Sequence, residues 1–245
     1  MDQSLDRTER IALGPGHDRR LLARVFREHG RLHIPDILED GAARRLHHCL
    51  AEETPWNTLF NSGEKIYDLS PHAFVGLGEA RRRHLMAAVA ANARQGFQYH
   101  YDNHRLSEAG EPYAERSHFF ARAVAFLNGP EFLAFAREVT GMADIALADA
   151  QATAYGPGHF LTRHDDLLPE KKRRAAYVLS MTPGWRAEWG GLLAFLDADG
   201  HVAEGYVPAF NALNLLRVPQ PHFVSEVASY AGGLRYSIAG WLRAR

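Results

Sequence analysis

The stretch AAYVLSMTPGWRAEWGGLLAFLD, residues 175–197, decides the fold class. Two short apolar runs, AYVLSMT (176–182) and LLAFLD (192–197), flank a segment holding Pro183, Gly184, Gly190 and Gly191. Apolar runs of this length bounded by Gly and Pro read as strands. The pattern continues downstream in ALNLLRV (212–218), FVSEVAS (223–229) and YSIAGWL (236–242), each set off by Gly, Pro, Asn or Asp. Nothing helical separates these runs, so the crossovers that a parallel sheet needs are missing. An antiparallel sandwich or barrel is predicted over residues 143–245.

Upstream, residues 1–142 read mostly as helices. Leu21, Leu22, Val25 and Phe26 share one face at helical spacing, with Gly30 as the stop. RLHIPDIL (31–38) contains Pro35 and is at best an edge strand. Asp40 is a candidate cap for a helix carrying Ala43, Leu46, Cys49 and Leu50 inward. Further helical patterns run over 78–95, through Phe119, Phe120, Val124 and Phe126, and from Pro130 to Gly141. These helices are expected to pack on the barrel and not to form an independent domain. FQYHYDNH (97–104) lacks clean periodicity and reads as a substrate-facing loop or strand.

Composition narrows the function classes. Apolar residues are 46% and charged residues 23%, the balance of a globular chain. With 28 basic and 29 acidic residues the formal charge is −1, which argues against a broad nucleic-acid or anionic-membrane surface. No apolar run is long enough to span a bilayer, and the start MDQSLDRTER resembles neither a signal nor a transit peptide. The single cysteine, Cys49, excludes an internal disulfide and a multi-cysteine zinc site, and points to a reducing, cytoplasmic compartment.

Among 14 histidines, His164-Asp165-Asp166 stands out. On extended backbone, His164 and Asp166 point the same way and can reach one metal, while Asp165 points away. His159 lies in a Gly-Pro-Gly turn and His201 in an exposed Asp-Gly turn, whereas His222 opens a strand. Two histidines and a carboxylate on a barrel make the facial set of non-haem iron(II) oxygenases. The bland alternative is an acidic turn and an ordinary strand histidine. Arg235 and Ser237 share a face of the last strand, a guanidinium and a hydroxyl suited to a carboxylate. The bland alternative there is an arginine reaching solvent or a local acid.

Taken together, Tyr155, His164 with Asp166, Trp185 with Gly190 and Gly191, Pro208 with Phe210 and Asn211, His222, Arg235 and Trp241 fall in an order and spacing that resembles a known family. The resemblance is to the catalytic domain of the 2-oxoglutarate- and iron(II)-dependent dioxygenases, within them the prolyl-hydroxylase-like branch. It covers about residues 143–245. It implies a double-stranded β-helix, or jelly roll, and iron(II) held by His164, Asp166 and His222. It implies 2-oxoglutarate as cosubstrate, its far carboxylate on Arg235 with Tyr155 and Ser237 as hydroxyl donors, and ascorbate as a further candidate cofactor. The implied reaction consumes 2-oxoglutarate and dioxygen, releases succinate and carbon dioxide, and hydroxylates an aliphatic C–H bond.

The implied acceptor is a prolyl residue in a peptide or protein. A free amino acid or other small molecule, a non-catalytic binding barrel and a zinc hydrolase stay open. A second tyrosine of some relatives aligns with Leu179. Trp241 stands where nucleic-acid dealkylases carry an arginine, so nucleic acid is not the expected partner. Gly190 and Gly191 are expected to permit a close approach. The tryptophans read as core or rim, and Lys171-Lys172-Arg173-Arg174 as a solvated loop beside the substrate.

Overall fold

The computed structural model describes residues 10–245. The start of the chain, expected to be no targeting segment, lies for residues 1–9 outside the described residues. Helix α1 (Arg19–His29) leads through β1 (Arg31–Ile34) to α2 (Asp40–His48), which continues as a π-helical turn, Cys49–Glu53. The hairpin β2 (Asn57–Ser62) and β3 (Lys65–Leu69) precedes α3 (Pro71–Gly76), α4 (Glu79–Ala93) and the long strand β4 (Tyr99–Ser107). Helices α5 (Phe119–Leu127) and α6 (Pro130–Thr140) follow. Then come β5 (Leu147–Ala148), β6 (Ala150–Tyr155), β7 (Phe160–His164), β8 (Arg173–Ser180) and β9 (Leu193–Leu196). The last strands are β10 (Val202–Tyr206), β11 (Ala212–Arg217), β12 (His222–Val224) and β13 (Arg235–Arg243).

Local chemistry sets the helix ends. Asp18 accepts the Leu21 N–H at 3.0 Å to open α1, and Gly30, at φ 70°, closes it. Pro130 opens α6 and Gly141, at φ 72°, ends it. Asp40 is not the cap of α2: it lies inside the first turn and pairs with Arg44 four residues on, at 2.8 Å.

The strands form one antiparallel, nearly closed jelly roll in the order β1-β11-β8-β13-β6-β4-β7-β12-β9-β10, with the β2–β3 hairpin beside β4 and β5 beside β13. The turn from one layer to the other is the pairing of Tyr99 with Leu161 and His100 with Phe160. Side-chain alternation divides β8 between two cores. Ala175, Tyr177 and Leu179 pack outward with Phe26, Leu46, Phe120 and Phe132 of the helices. Ala176 and Val178 face the barrel interior with Leu193, Phe195 and Leu216. Leu179 therefore belongs to the helix-side core, and the interior-facing neighbours at that height are Val178 and Ser180.

The stretch before residue 143 also contributes strands. β1 pairs with β11, and β4 joins β6 to β7. β4 eluded its sequence pattern because both faces are covered: Tyr101 and Asn103 are buried on one, while His104 stacks on Phe120 of α5 on the other. The run 223–229 is expected to be a full strand, yet only its start is regular; beyond Val224 the pairing continues irregularly, with the Ser225 N–H on the Leu192 carbonyl, the Ser225 hydroxyl accepting the Leu192 N–H, and Val227 in an isolated bridge to Gly190. Gly190 lies at φ 73°, and a Cβ there would sit 2.0 Å from the Glu226 carbonyl oxygen. No helix among the described residues is long and apolar enough to cross a membrane.

Candidate active site

β7 and β12 run antiparallel with His164 directly opposite His222, and the two ring centroids are 4.1 Å apart. Each imidazole has its Nδ1 against a carbonyl two residues earlier, His164 on Thr162 at 3.0 Å and His222 on Gln220 at 2.7 Å. A carbonyl only accepts, so both Nδ1 atoms carry the proton and both Nε2 lone pairs face the centre. The Asp166 carboxylate lies 3.6 Å from the His164 Nε2 and 3.5 Å from the His222 Nε2. All three ligand atoms fall within 4.8 Å of one another. Burial first, then the neighbouring His164, push His222 below its ordinary value and keep it neutral, the form that offers a lone pair. Two neutral imidazoles and one carboxylate fit a divalent first-row metal such as iron(II).

Asp166 reaches this position by a turn and not by strand alternation. β7 ends at His164, and Asp166 takes φ 64°, a left-handed conformation that Asp tolerates. Asp165 is exposed, and its carboxylate accepts the Leu167 N–H at 3.0 Å. His159 is outside the triad, its Nδ1 accepting the Gly156 N–H and its ring 4.4 Å from that of His100. His201 is exposed in its turn.

A cavity of about 80 Å³ is lined by the triad together with Tyr155, Arg235 and Ser237. Arg235 is 4% exposed, lies 4.8 Å over the Tyr155 ring, and has no carboxylate within ion-pair distance among the described residues. Burial pushes its guanidinium below the ordinary value, with Tyr155 opposing. A buried cation without an anion is costly, and an anion seated in the cavity would offset that cost. The far carboxylate of 2-oxoglutarate fits that demand. Tyr155 stacks on Tyr101 at 4.9 Å, and burial pushes its hydroxyl up, which keeps it a donor. Ser237 shares a 2.7 Å hydrogen bond with Thr153.

Among the cavity residues that the sequence did not single out are Tyr101, Gln151 and Thr153. Gln151, Thr153 and Tyr155 are successive inward positions of β6, a period-two polar pattern that was legible. Tyr101 was hidden in the aperiodic 97–104 segment. The basic run, expected to be a solvated loop, is divided. Lys171 pairs with Glu108 at 2.8 Å and Arg174 with Asp144 at 2.8 Å, but Arg173 turns inward. Arg173 lies 3.5 Å over the Trp241 ring and donates to the Asp166 carbonyl at 3.1 Å, leaving its Nε buried without a partner.

The cavity opens into a groove of about 710 Å³ that shares His164, Asp166, Tyr101 and Trp241 with it and adds Arg173, Lys171, Phe97 and Tyr99. A second cluster, Cys49, Glu53 and His118, also lies within 4.8 Å. Its groups are already engaged. Arg45 sits 2.8 Å from Glu53, and the His118 Nδ1 accepts the Phe120 N–H, which leaves the proton on Nε2. Burial pushes the Cys49 thiol up to about 12. This cluster joins the π-helical turn to α5 as packing.

Comparison with known proteins agrees with the geometry. Residues 150–243 match the sequence model of the 2OG-Fe(II) oxygenase superfamily. The prolyl 3-hydroxylase OGFOD1 of Mus musculus is 32% identical over 118 residues, 45% of this chain and 21% of that protein. Its Xenopus laevis counterpart is 29% identical over 138 residues, 54% of this chain and 26% of that protein. The chain thus matches about a quarter of the length of these curated relatives. An oxidoreductase of the 2OG-Fe(II) oxygenase family from Burkholderia pseudomallei shares the fold with a TM-score of 0.61 at 13% identity, covering 94% of this chain and 92% of that one. A Pseudomonas putida prolyl-4-hydroxylase does so with a TM-score of 0.56 at 20% identity, covering 96% and 99%.

Proposed function

We propose that this chain, which belongs through residues 150–243 to the 2OG-Fe(II) oxygenase superfamily, hydroxylates a prolyl residue in a peptide or protein. The reading assigns residues 143–245 the catalytic core and the helices before residue 143 a buttress that does not fold alone, with β1 and β4 built into the same sheet as that core. It assigns His164, Asp166 and His222 to iron(II), and Arg235, Ser237 and Tyr155 to the far carboxylate of 2-oxoglutarate. Bound there, iron(II) and 2-oxoglutarate supply dioxygen-dependent hydroxylation of a C–H bond with release of succinate and carbon dioxide.

The observation that carries the reading is the buried Arg235, without an anion, lining the same cavity as the triad. The protein's own contribution is positional. The two Nδ1–H bonds fix the imidazoles, the left-handed Asp166 aims the third ligand, and Arg235 sets the depth of the cosubstrate. A groove of about 710 Å³ beside the triad, lined by apolar residues, tyrosines and charged groups including Arg173, suits an extended peptide better than a free amino acid. The near-neutral chain and Trp241, stacked under Arg173, do not favour nucleic acid. A single buried thiol, Cys49, suits the reducing cytoplasm.

The test is to incubate the protein with iron(II), 2-oxoglutarate and a proteome extract, and separately with free proline and alkylated oligonucleotides. A peptidyl proline that gains one oxygen atom supports the reading. Turnover confined to free proline or to the oligonucleotide overturns the acceptor and leaves the metal and cosubstrate assignments standing.

A further inference from the structure

Ten large hydrophobic side chains stand exposed among the described residues, and four of them, Ile66, Phe97, Leu167 and Leu168, line the groove beside the triad. Exposed apolar residues scattered singly call for no explanation, but a gathering beside a reaction centre does. Strand β4 gives the groove a direction. Tyr99 and Tyr101 lie toward its start, with Phe97 just before, and Arg105 and Ser107 toward its end, with Glu108 just after. At the usual strand rise, Tyr99 and Arg105 are about 20 Å apart.

The sheet register collects the apolar groups at the first end. Leu161 is opposite Tyr99. Ile66 is opposite Asn61, whose neighbour Phe60 is opposite His100. Phe97 packs 5.7 Å from Tyr99 and 5.7 Å from the His164 ring. The second end is charged. Arg105 and Lys171 both pair with the single carboxylate of Glu108, at 3.2 and 2.8 Å. Leu167 and Leu168 lie by this second end, the Leu168 carbonyl accepting the Lys171 N–H at 3.0 Å, so the groove has aromatic and aliphatic groups on the Phe97 side of the metal triad and leucines mixed with ion pairs on the other.

We propose that this asymmetry selects the acceptor's sequence: the Phe97–Tyr99–Ile66 end is a subsite for a bulky apolar side chain on one flank only of the hydroxylated residue. The proposal rests on the peptide-hydroxylase reading and adds its specificity. The occupant is an extended peptide, because the subsite is continuous with the reaction centre. An extended chain advances about 3.3 Å per residue. A side chain resting on Phe97, next to a metal ligand, thus belongs to a residue one or two positions from the one presented to the metal.

The experiment uses short fluorescein-labelled peptides with a central proline, bound to the protein loaded anaerobically with iron(II) and 2-oxoglutarate. Three carry serines on both flanks, leucines only before the proline, or leucines only after it. One of the two leucine peptides is expected to bind at least about tenfold more tightly than the serine peptide, and the other is not. Phe97→Ser and Ile66→Ser, both at exposed positions, should each shrink that advantage. Equal affinity for all three peptides, an equal gain for both leucine peptides, or an advantage that survives both substitutions overturns the proposal. Admitting oxygen and reading the peptides by mass spectrometry separates the two claims. Leucine-selective binding without oxygen insertion sinks the hydroxylase reading alone, and insertion without leucine selectivity sinks the subsite alone.

Discussion

Replacing Arg235 by Met should have opposite effects on the free and cosubstrate-bound protein. The guanidinium is 4% exposed and has an aromatic neighbour in Tyr155 but no carboxylate partner among the described residues. Without cosubstrate it is a buried charge that the fold must tolerate, so Arg235→Met should leave the free protein as stable as before or up to about 2 kcal/mol more stable. With cosubstrate, the substitution removes a charge-assisted contact worth about 3 kcal/mol, which raises the 2-oxoglutarate dissociation constant roughly 150-fold. At a cosubstrate concentration about 100 times the wild-type dissociation constant, binding stabilises the wild type by about 2.7 kcal/mol and the variant by only about 0.3 kcal/mol. Urea unfolding under anaerobic conditions, with iron(II) and with or without 2-oxoglutarate, reads both quantities. A variant that still gains more than about 2 kcal/mol from cosubstrate, or that loses about 2 kcal/mol without it, would show that Arg235 serves the fold and that another cation anchors the acid.

Phe120→Ala should cost about 3–5 kcal/mol in urea unfolding, in a single transition seen by both fluorescence and circular dichroism, because Phe120 packs helix α5 against the sheet in the helix-side core. Two separated transitions would show that the helices fold apart from the barrel. Gly240→Ala should prevent native folding or destabilise by more than about 3 kcal/mol, since its Cβ would sit 1.9 Å from the Asp149 carbonyl oxygen; a fully native thermal melt would contradict the register of β13. Stability should also fall in mild acid. Burial, then the charge of His159, lowers His100 from 6.5 to about 4, so the unfolded chain takes up the proton first as pH drops below 6.5. The loss accumulates between about pH 6.5 and 4, reaching up to about 3 kcal/mol, while Asp102, which burial raises, contributes the opposite slope. His100→Gln should make the urea midpoint fall less steeply across that window, with the neighbouring His159, which burial also lowers, retaining part of the slope; an unchanged slope would refute the assignment.

The parts of the molecule that were legible in the sequence are those governed by local rules. Strands β8, β9, β11 and β13 announced themselves because each is a short apolar run between Gly or Pro breaks, and α1 and α6 because their caps sit where the periodicity stops. Strand β4 did not, because covering both of its faces erases the alternation that marks a half-exposed strand. Only the start of the 223–229 run is a regular strand, since at Ser225 the side-chain hydroxyl takes the Leu192 N–H in place of a backbone carbonyl and the pairing beyond is irregular. In the site, the spacing of His164 and Asp166 was readable, but the reason the two face each other was not: a left-handed φ at Asp166 is a tertiary outcome. The inward turn of Arg173 was equally hidden, because nothing in a run of four basic residues says which one finds Trp241.

The central claim is that His164, Asp166 and His222 hold iron(II) while Arg235 holds the cosubstrate against it. The most direct measurement is anaerobic titration of iron(II) with 2-oxoglutarate, followed by the visible charge-transfer absorption that appears when the keto acid chelates the metal. The band should form in the wild type and in Asp165→Ala, whose exposed carboxylate holds only a local turn. It should be lost in His164→Ala, Asp166→Ala and His222→Ala, because each removes one of the three ligands that converge within 4.8 Å. A band that survives in Asp166→Ala and disappears in Asp165→Ala would contradict the account at its centre.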